Sequence, residues 1–180
     1  MLYIALLRGV NVGGKGIVSM ADLKSCFEQM GFTKVKTYIN SGNVIFEAGQ
    51  SDTDALAQQI EKALDHTFEP GIRVLVKTRE ELKWLAEAIP SDWANNSETR
   101  CDVMFLWPEI DKPGVLAEMP NNPDIEEKRY YPGAIVWYID RSNVTKSRTA
   151  RMIGTKLYKQ ITIRNVNTVR KLLTLTDEAS

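Results

Sequence analysis

Two periodicities organise the first half of the chain. Residues 2–8 carry apolar side chains in both alternating sets, Leu2/Ile4/Leu6 and Tyr3/Ala5/Leu7, as in a central strand covered on both faces. Ser19 opens a helix. Ser19 with Asp22 resembles a capping box with a shorter acid, Leu23, Phe27 and Met30 recur at helical spacing, and Gly31 suits the C-terminal cap. Thr33–Ile39 alternates, with Lys34 and Lys36 opposite Val35, Thr37 and Ile39, and Asn40-Ser41-Gly42-Asn43 then reverses the chain into a strand over 43–47. A helix follows over 52–68 with Leu56, Ile60, Ala63 and Leu64 inward, Pro70-Gly71 breaks it, and 72–77 reads as a fourth strand.

The succession β-α-β-β-α-β is the split-βαβ or ferredoxin-like motif, whose sheet order is 4-1-3-2. Lysine and arginine fall on the presumed edges, at Lys34, Lys36, Arg73 and Lys77, which also guards those edges against sheet-to-sheet pairing. Residues 79–88 read as a connecting helix and the turn-rich 90–97 as a boundary. The same order then recurs: a strand over 101–107, a short helix within 111–119, a hairpin of 126–131 and 134–140, a helix over 146–159, a short strand over 161–163, and a closing helix over 169–175 capped by Asn165 or Asn167. The expected fold is α+β, with two ferredoxin-like (βαββαβ) halves over 1–89 and 98–180, each an antiparallel sheet with helices packed on one face.

Charge adds detail rather than a partner. Lys plus Arg equals Asp plus Glu at 23 each, which removes a global electrostatic case for nucleic acid or an anionic membrane. Residues 141–176 nonetheless hold nine Lys/Arg and no acid, a solvated face or a local anion-binding surface, and 109–127 is acidic. No run is long enough to span a membrane, and Met1–Leu7 reads as a strand rather than a signal peptide. Cys26 and Cys101 read as reduced core residues of a cytoplasmic protein. With His66 the only histidine and no C-x-x-C, neither a metal site nor a Ser-His-Asp triad is supported, and no cofactor motif is present.

The candidate chemistry lies in the bends. Gly9-x-x-x-x-Gly14-Lys15-Gly16 comes within one residue of a phosphate-binding P-loop, but Gly16 stands where Ser or Thr would ligate magnesium, and Ser19 starts the helix four residues too late. A glycine-rich bend flanked by Arg8 and Lys15 still suits an anion such as a phosphate-bearing small molecule, while glycines that only permit a tight turn are the plainer explanation. Strand 1 runs antiparallel to strand 3, so Arg8, Asn11, Gly13, Gly14 and Lys15 are expected beside Asn40, Ser41 and Asn43. In the second half Lys146 opens one helix and Arg164, Asn165 and Asn167 precede another, a pair of helix starts that suits an anion or simple capping, and Lys146 and Arg164 are candidates to complete the first site. A phosphate-handling enzyme would need an acid near the loop, and Glu47 is the one acid expected nearby. An RNA-binding sheet would need aromatics on strands 1 and 3, where only Tyr3 and Phe46 qualify. A nucleic-acid or protein interaction module would use the basic 141–171 surface.

Three blocks, Tyr3–Lys15, Thr37–Phe46 and Thr162–Val169, resemble those of a bacterial family, domain of unknown function 1697. The likeness spans nearly the whole chain. The family pattern often has Gln at the place of Asn40 and Trp at the place of Val166. The resemblance implies two ferredoxin-like halves. It implies no activity and supplies no catalytic residues.

Overall fold

The computed structural model describes residues 1–14, 17–49 and 52–179. It is an α+β chain with two four-stranded antiparallel sheets. The first contains β1 (Leu2–Arg8), β2 (Thr33–Tyr38), β3 (Asn43–Glu47) and β4 (Arg73–Thr78) in the order β2-β3-β1-β4. The second contains β5 (Thr99–Leu106), β6 (Glu126–Tyr131), β7 (Ala134–Asp140) and β8 (Ile161–Asn165) in the order β6-β7-β5-β8. Numbered from its own first strand, each sheet has the order 2-3-1-4. Five α-helices accompany them: α1 (Met20–Gln29), α2 (Thr53–Thr67), α3 (Arg79–Ala88), α4 (Val115–Glu118) and α5 (Val166–Glu178).

The chain forms two compact units. One is Met1–Lys83 together with the chain from Leu172, and the other is Trp84–Lys171. The division falls within α3 and α5. Residues 90–97, whose composition suggests a boundary, belong wholly to the second unit, and the end of the closing helix belongs to the first.

In the first unit β1 is covered on both faces, as its doubly apolar pattern requires, and Tyr3, Ile4, Ala5 and Leu6 are fully buried. Tyr3, Ala5 and Leu7 pack with Val44 and Phe46 against Leu23 and Phe27 of α1 and Leu56, Ile60 and Leu64 of α2. Each Val, Leu, Ile or Phe side chain among them contributes about 1.5–3 kcal/mol when buried. Ile4, Leu6 and Ile45 fill the other face. There Lys36, opposite Ile45 in the β2–β3 ladder, meets Glu178 of α5 at 3.2 Å. The helix starts are fixed locally: Ser19 Oγ accepts from Asp22 N at 3.0 Å, and Asp52 Oδ1 accepts from Asp54 N and Ala55 N at 2.9 and 3.1 Å. Gly31, at φ +84°, ends α1.

The second unit departs from expectation over its last crossover. Instead of a helix over 146–159, three separate 3₁₀ turns span Arg141–Lys146, Thr149–Met152 and Tyr158–Gln160. Short polar side chains divert the backbone: Ser147 Oγ accepts from Ala150 N at 3.1 Å, while Thr155 Oγ1 donates to Met152 O at 2.8 Å and accepts from Tyr158 N at 3.2 Å. Gly154 between them is left-handed at φ +91°. These turns still cover an apolar sheet face made by Met104, Leu106, Ile135, Trp137 and Ile139. On the opposite face of that sheet, Trp93 stacks on Tyr138 with centroids 5.0 Å apart and lies under the Arg129 guanidinium at 4.5 Å. Arg170 donates to the Trp93 and Pro90 carbonyls at 3.0 and 3.1 Å.

Gly42 is the least replaceable turn residue. It sits at φ +80°, and an added Cβ would meet Val10 Cγ2 at 2.6 Å and Leu7 Cβ at 2.8 Å. Gly42→Ala is expected to cost about 2–4 kcal/mol from left-handed strain plus overpacking, read as a lower urea midpoint. An unchanged midpoint would show that the turn relaxes without loss.

Candidate functional site

The β1–β3 ladder pairs Leu6 with Asn43, so the loop leaving β1 and the hairpin entering β3 share one end of the first sheet. Leu7 N donates to Gly42 O at 2.8 Å, and Asn11 completes the connection. Its Nδ2 donates to Asn40 O at 2.8 Å and to Val18 O at 3.0 Å, and its Oδ1 accepts from Val18 N at 2.9 Å. One side chain thus ties the start of the loop, its end and the hairpin together. Asn11 itself is left-handed at φ +54°, a conformation Asn tolerates better than most residues. Gly13 and Gly14, at φ +61° and +77°, lie exposed on the span between. Ile39 is held at φ +48° in the facing hairpin, and a β-branched residue there stores about 1–3 kcal/mol of strain.

Arg8 is half-buried at the tip of β1. Its partner across the β1–β4 ladder is Arg73, also half-buried, so two guanidinium-bearing residues occupy one rung at the loop end. Sequence reasoning treats Arg73 only as an edge guard, and the pairing register reveals it as the neighbour of Arg8. Asn40 contributes its carbonyl to Asn11. Asn43, expected among the ligand contacts, is fully buried and donates to Tyr38 O at 2.9 Å and Ser41 Oγ at 3.0 Å. It builds the hairpin and is out of a ligand's reach. Lys15 lies outside the described residues.

The bends of the second unit do other work. Lys146 is exposed at the end of a 3₁₀ turn and opens no helix. Asn165 Oδ1 accepts from Thr168 N at 2.9 Å, which is simple capping, and Asn167 Nδ2 donates to Asn95 O at 2.7 Å. Arg164 is buried. Its Nη1 donates to Thr162 Oγ1 at 3.0 Å and Ile163 O at 2.8 Å, and burial brings its pKa down to about 10.

Glu126, which the sequence places only in an acidic stretch, organises this region. Its Oε1 accepts from Asn122 N at 2.8 Å, Arg148 N at 3.2 Å and Thr149 N at 3.4 Å. Its Oε2 accepts from Trp137 Nε1 at 3.0 Å and from Ser147 Oγ. Burial alone would raise its pKa, but the hydrogen bonds from Ser147, Trp137, Asn122 and Thr149 outweigh burial and hold the carboxyl below the usual glutamate range. The sequence signal was its inward place in the alternation Glu126, Lys128, Tyr130, opposite Ile139 in β7.

Other candidate chemistries lose their residues. Glu47 pairs with Leu2, at the far end of β1 from the glycine loop, and binds Thr33 and Lys34. Tyr3 and Phe46 face the helices with ring centroids 5.6 Å apart, both fully buried, so no base can stack on them. Both thiols are buried and unpaired, and burial with the Asp102 charge pushes Cys101 up to about 12, which leaves it a poor nucleophile. His66 bonds Lys62 O within α2. Among the described residues, no group of three or more His, Cys, Asp or Glu could hold a metal, and no helix is long and apolar enough to cross a membrane.

A family model described as "Protein of unknown function (DUF1697)" matches residues 1–137. No curated protein matches the chain. Among solved structures, the conserved bacterial protein SP0830 from Streptococcus pneumoniae superposes with a TM-score of 0.81 at 28% identity, covering 97% of each chain.

Asn11→Ala removes the three hydrogen bonds that join the two bends and is expected to cost about 1–3 kcal/mol, read as a lower urea midpoint. A loss within a few tenths would mean that the glycine loop holds itself. For Glu126 the folded pKa is the depressed one. Its stabilisation is therefore complete above about pH 4.3, the unfolded glutamate value, and is lost as pH falls through the lower folded value. Glu126→Gln should lower stability at neutral pH and flatten that acid-side decline, and parallel pH profiles of wild type and variant would contradict the assignment.

Proposed function

Because the chain belongs to the DUF1697 family, to which no function is assigned, its role has to come from its own residues, and we propose that it is a cytoplasmic binding protein for an anionic, phosphate-bearing small molecule. The site is the loop end of the first sheet. Exposed backbone at Gly13 and Gly14 supplies N–H donors, Arg8 and Arg73 supply charge, and Lys15 adds a second kind of cation from the same loop. In this reading each sheet with its helices is a ferredoxin-like half, supported by the order 2-3-1-4 common to both.

The observation that carries the reading is the Arg8–Arg73 rung beside a glycine loop that Asn11 holds in place. Two guanidinium groups on one rung place positive charge at the rim where the glycine loop leaves the sheet, which favours an anion there. Such preorganisation keeps the entropy cost of binding low. Neutral net charge fits a small ligand better than a polyanion. Asn43 acts as scaffold, and Lys146, Arg164, Asn165 and Asn167 are not needed.

Thermal unfolding with pyrophosphate and ATP as probes tests this. A probe at a hundred times its dissociation constant should stabilise the protein by about 2.7 kcal/mol. Arg8→Ala, Arg73→Ala and Lys15→Ala should each reduce the shift. The absence of any shift, or an equal shift in wild type and all three variants, would refute the site.

A further inference from the structure

The irregular crossover in the second unit leaves a cavity of about 290 Å³ between the sheet and the 3₁₀ turns of 149–158. Its walls are unevenly made. Met104, Met152, Ile163 and Trp137 form an apolar floor, and Arg100 and Asp102 stand at one end. Asp102 is 5% exposed. Arg100 Nε donates to its Oδ2 at 2.9 Å, with Nη2 at 2.8 Å from the same oxygen, while the guanidinium lies 5.0 Å from the centroid of Trp137.

That pairing uses one side of each group. Asp102 Oδ1 accepts no hydrogen bond from the described residues, and Arg100 Nη1 donates none to them. All fully buried side-chain polar atoms among the described residues have partners, so Oδ1 is not fully buried, and Asp102 is one of the residues that line the cavity. Arg100 and Asp102 both line the cavity, so its wall carries a donor group and an acceptor group of opposite charge, next to a floor with two methionines that adapts to varied apolar shapes.

We propose that this cavity binds an apolar α-amino acid, with the ammonium on Asp102 Oδ1, the carboxylate on Arg100 Nη1, and the side chain over Met104, Met152 and Ile163. Charge balance selects the zwitterion. Arg100 and Asp102 already neutralise each other, so an amine or an acid alone would bury a net charge at high cost, whereas a zwitterion adds none. The volume lies at the small end of ligand pockets, which suits a single amino acid better than a nucleotide.

Isothermal titration of the full chain with L-leucine, L-methionine and L-phenylalanine decides the matter. Isoamylamine and isovalerate serve as half-ligands. Saturable binding of at least one amino acid is expected, with both half-ligands at least about tenfold weaker. Ala150→Leu, which enlarges a lining side chain while keeping Arg100 and Asp102, should abolish binding, and Asp102→Asn should weaken it about tenfold or more. If Asp102→Asn fails to fold, Ala150→Leu alone is decisive. Absence of binding by all three amino acids, equal binding of a half-ligand, or undiminished binding by Ala150→Leu would overturn the proposal. Arg8→Ala leaves this cavity untouched, so its loss of phosphate response would say nothing about amino-acid binding.

Discussion

The antiparallel register of β1 against its two neighbours governs the first unit. With Leu6 opposite Asn43 on one side and Leu75 on the other, the chain leaving β1, the hairpin entering β3 and the start of β4 share one rim. A slip of one residue would turn Tyr3, Ala5 and Leu7 away from α1 and α2 and move Arg8 off the rung of Arg73. Packing on both faces prevents that slip, since neither face of β1 tolerates a polar replacement. The core and the placement of the cations are therefore one constraint. Asn11 adds the last restraint by spending its whole side chain on backbone partners.

The second unit shows how one sheet order tolerates a different covering layer. Its strands pair like those of the first, yet its last crossover is a run of 3₁₀ turns held by a buried carboxylate. Glu126 accepts from Arg148 N and Thr149 N in that crossover and from Asn122 N in the loop before β6, so one carboxylate fixes both segments. Broken turns pack less evenly than a helix, and the gap lined by Arg100 and Asp102 follows from that. Three of the nine cations of the basic stretch are spent in this unit: Arg141 on Asn95 and Asn96, Arg164 on its own strand and Arg170 on Trp93 and Pro90.

Strong periodicity and local caps were legible from the sequence. Strand β1 and helix α3 fall where the pattern puts them, and Ser19 caps as its side chain suggests. The meeting of the two bends was legible too, because antiparallel pairing alone requires it. Residues 146–159 misled because their apolar positions match a helix, while Ser147, Thr155 and Gly154 favour local bonds that no periodicity records. Asn43 and Glu126 misled for another reason. A polar residue in a bend or an acidic stretch looks available, and only the fold shows its hydrogen bonds turned inward. Arg73 needed the register.

The clasp around Trp93 has a consequence for how the chain is handled outside its native setting. Residues 90–97 have the composition of a loop that a protease would nick, rich in Pro, Ser, Asn and Asp. Cleavage requires the segment to adopt an extended form in the enzyme's cleft, and here an indole that stacks on a phenol and meets a guanidinium ties the segment to the sheet. Limited digestion of the folded protein will therefore spare the stretch that its letters mark as weakest, and fragments cut there would report prior loss of the second sheet.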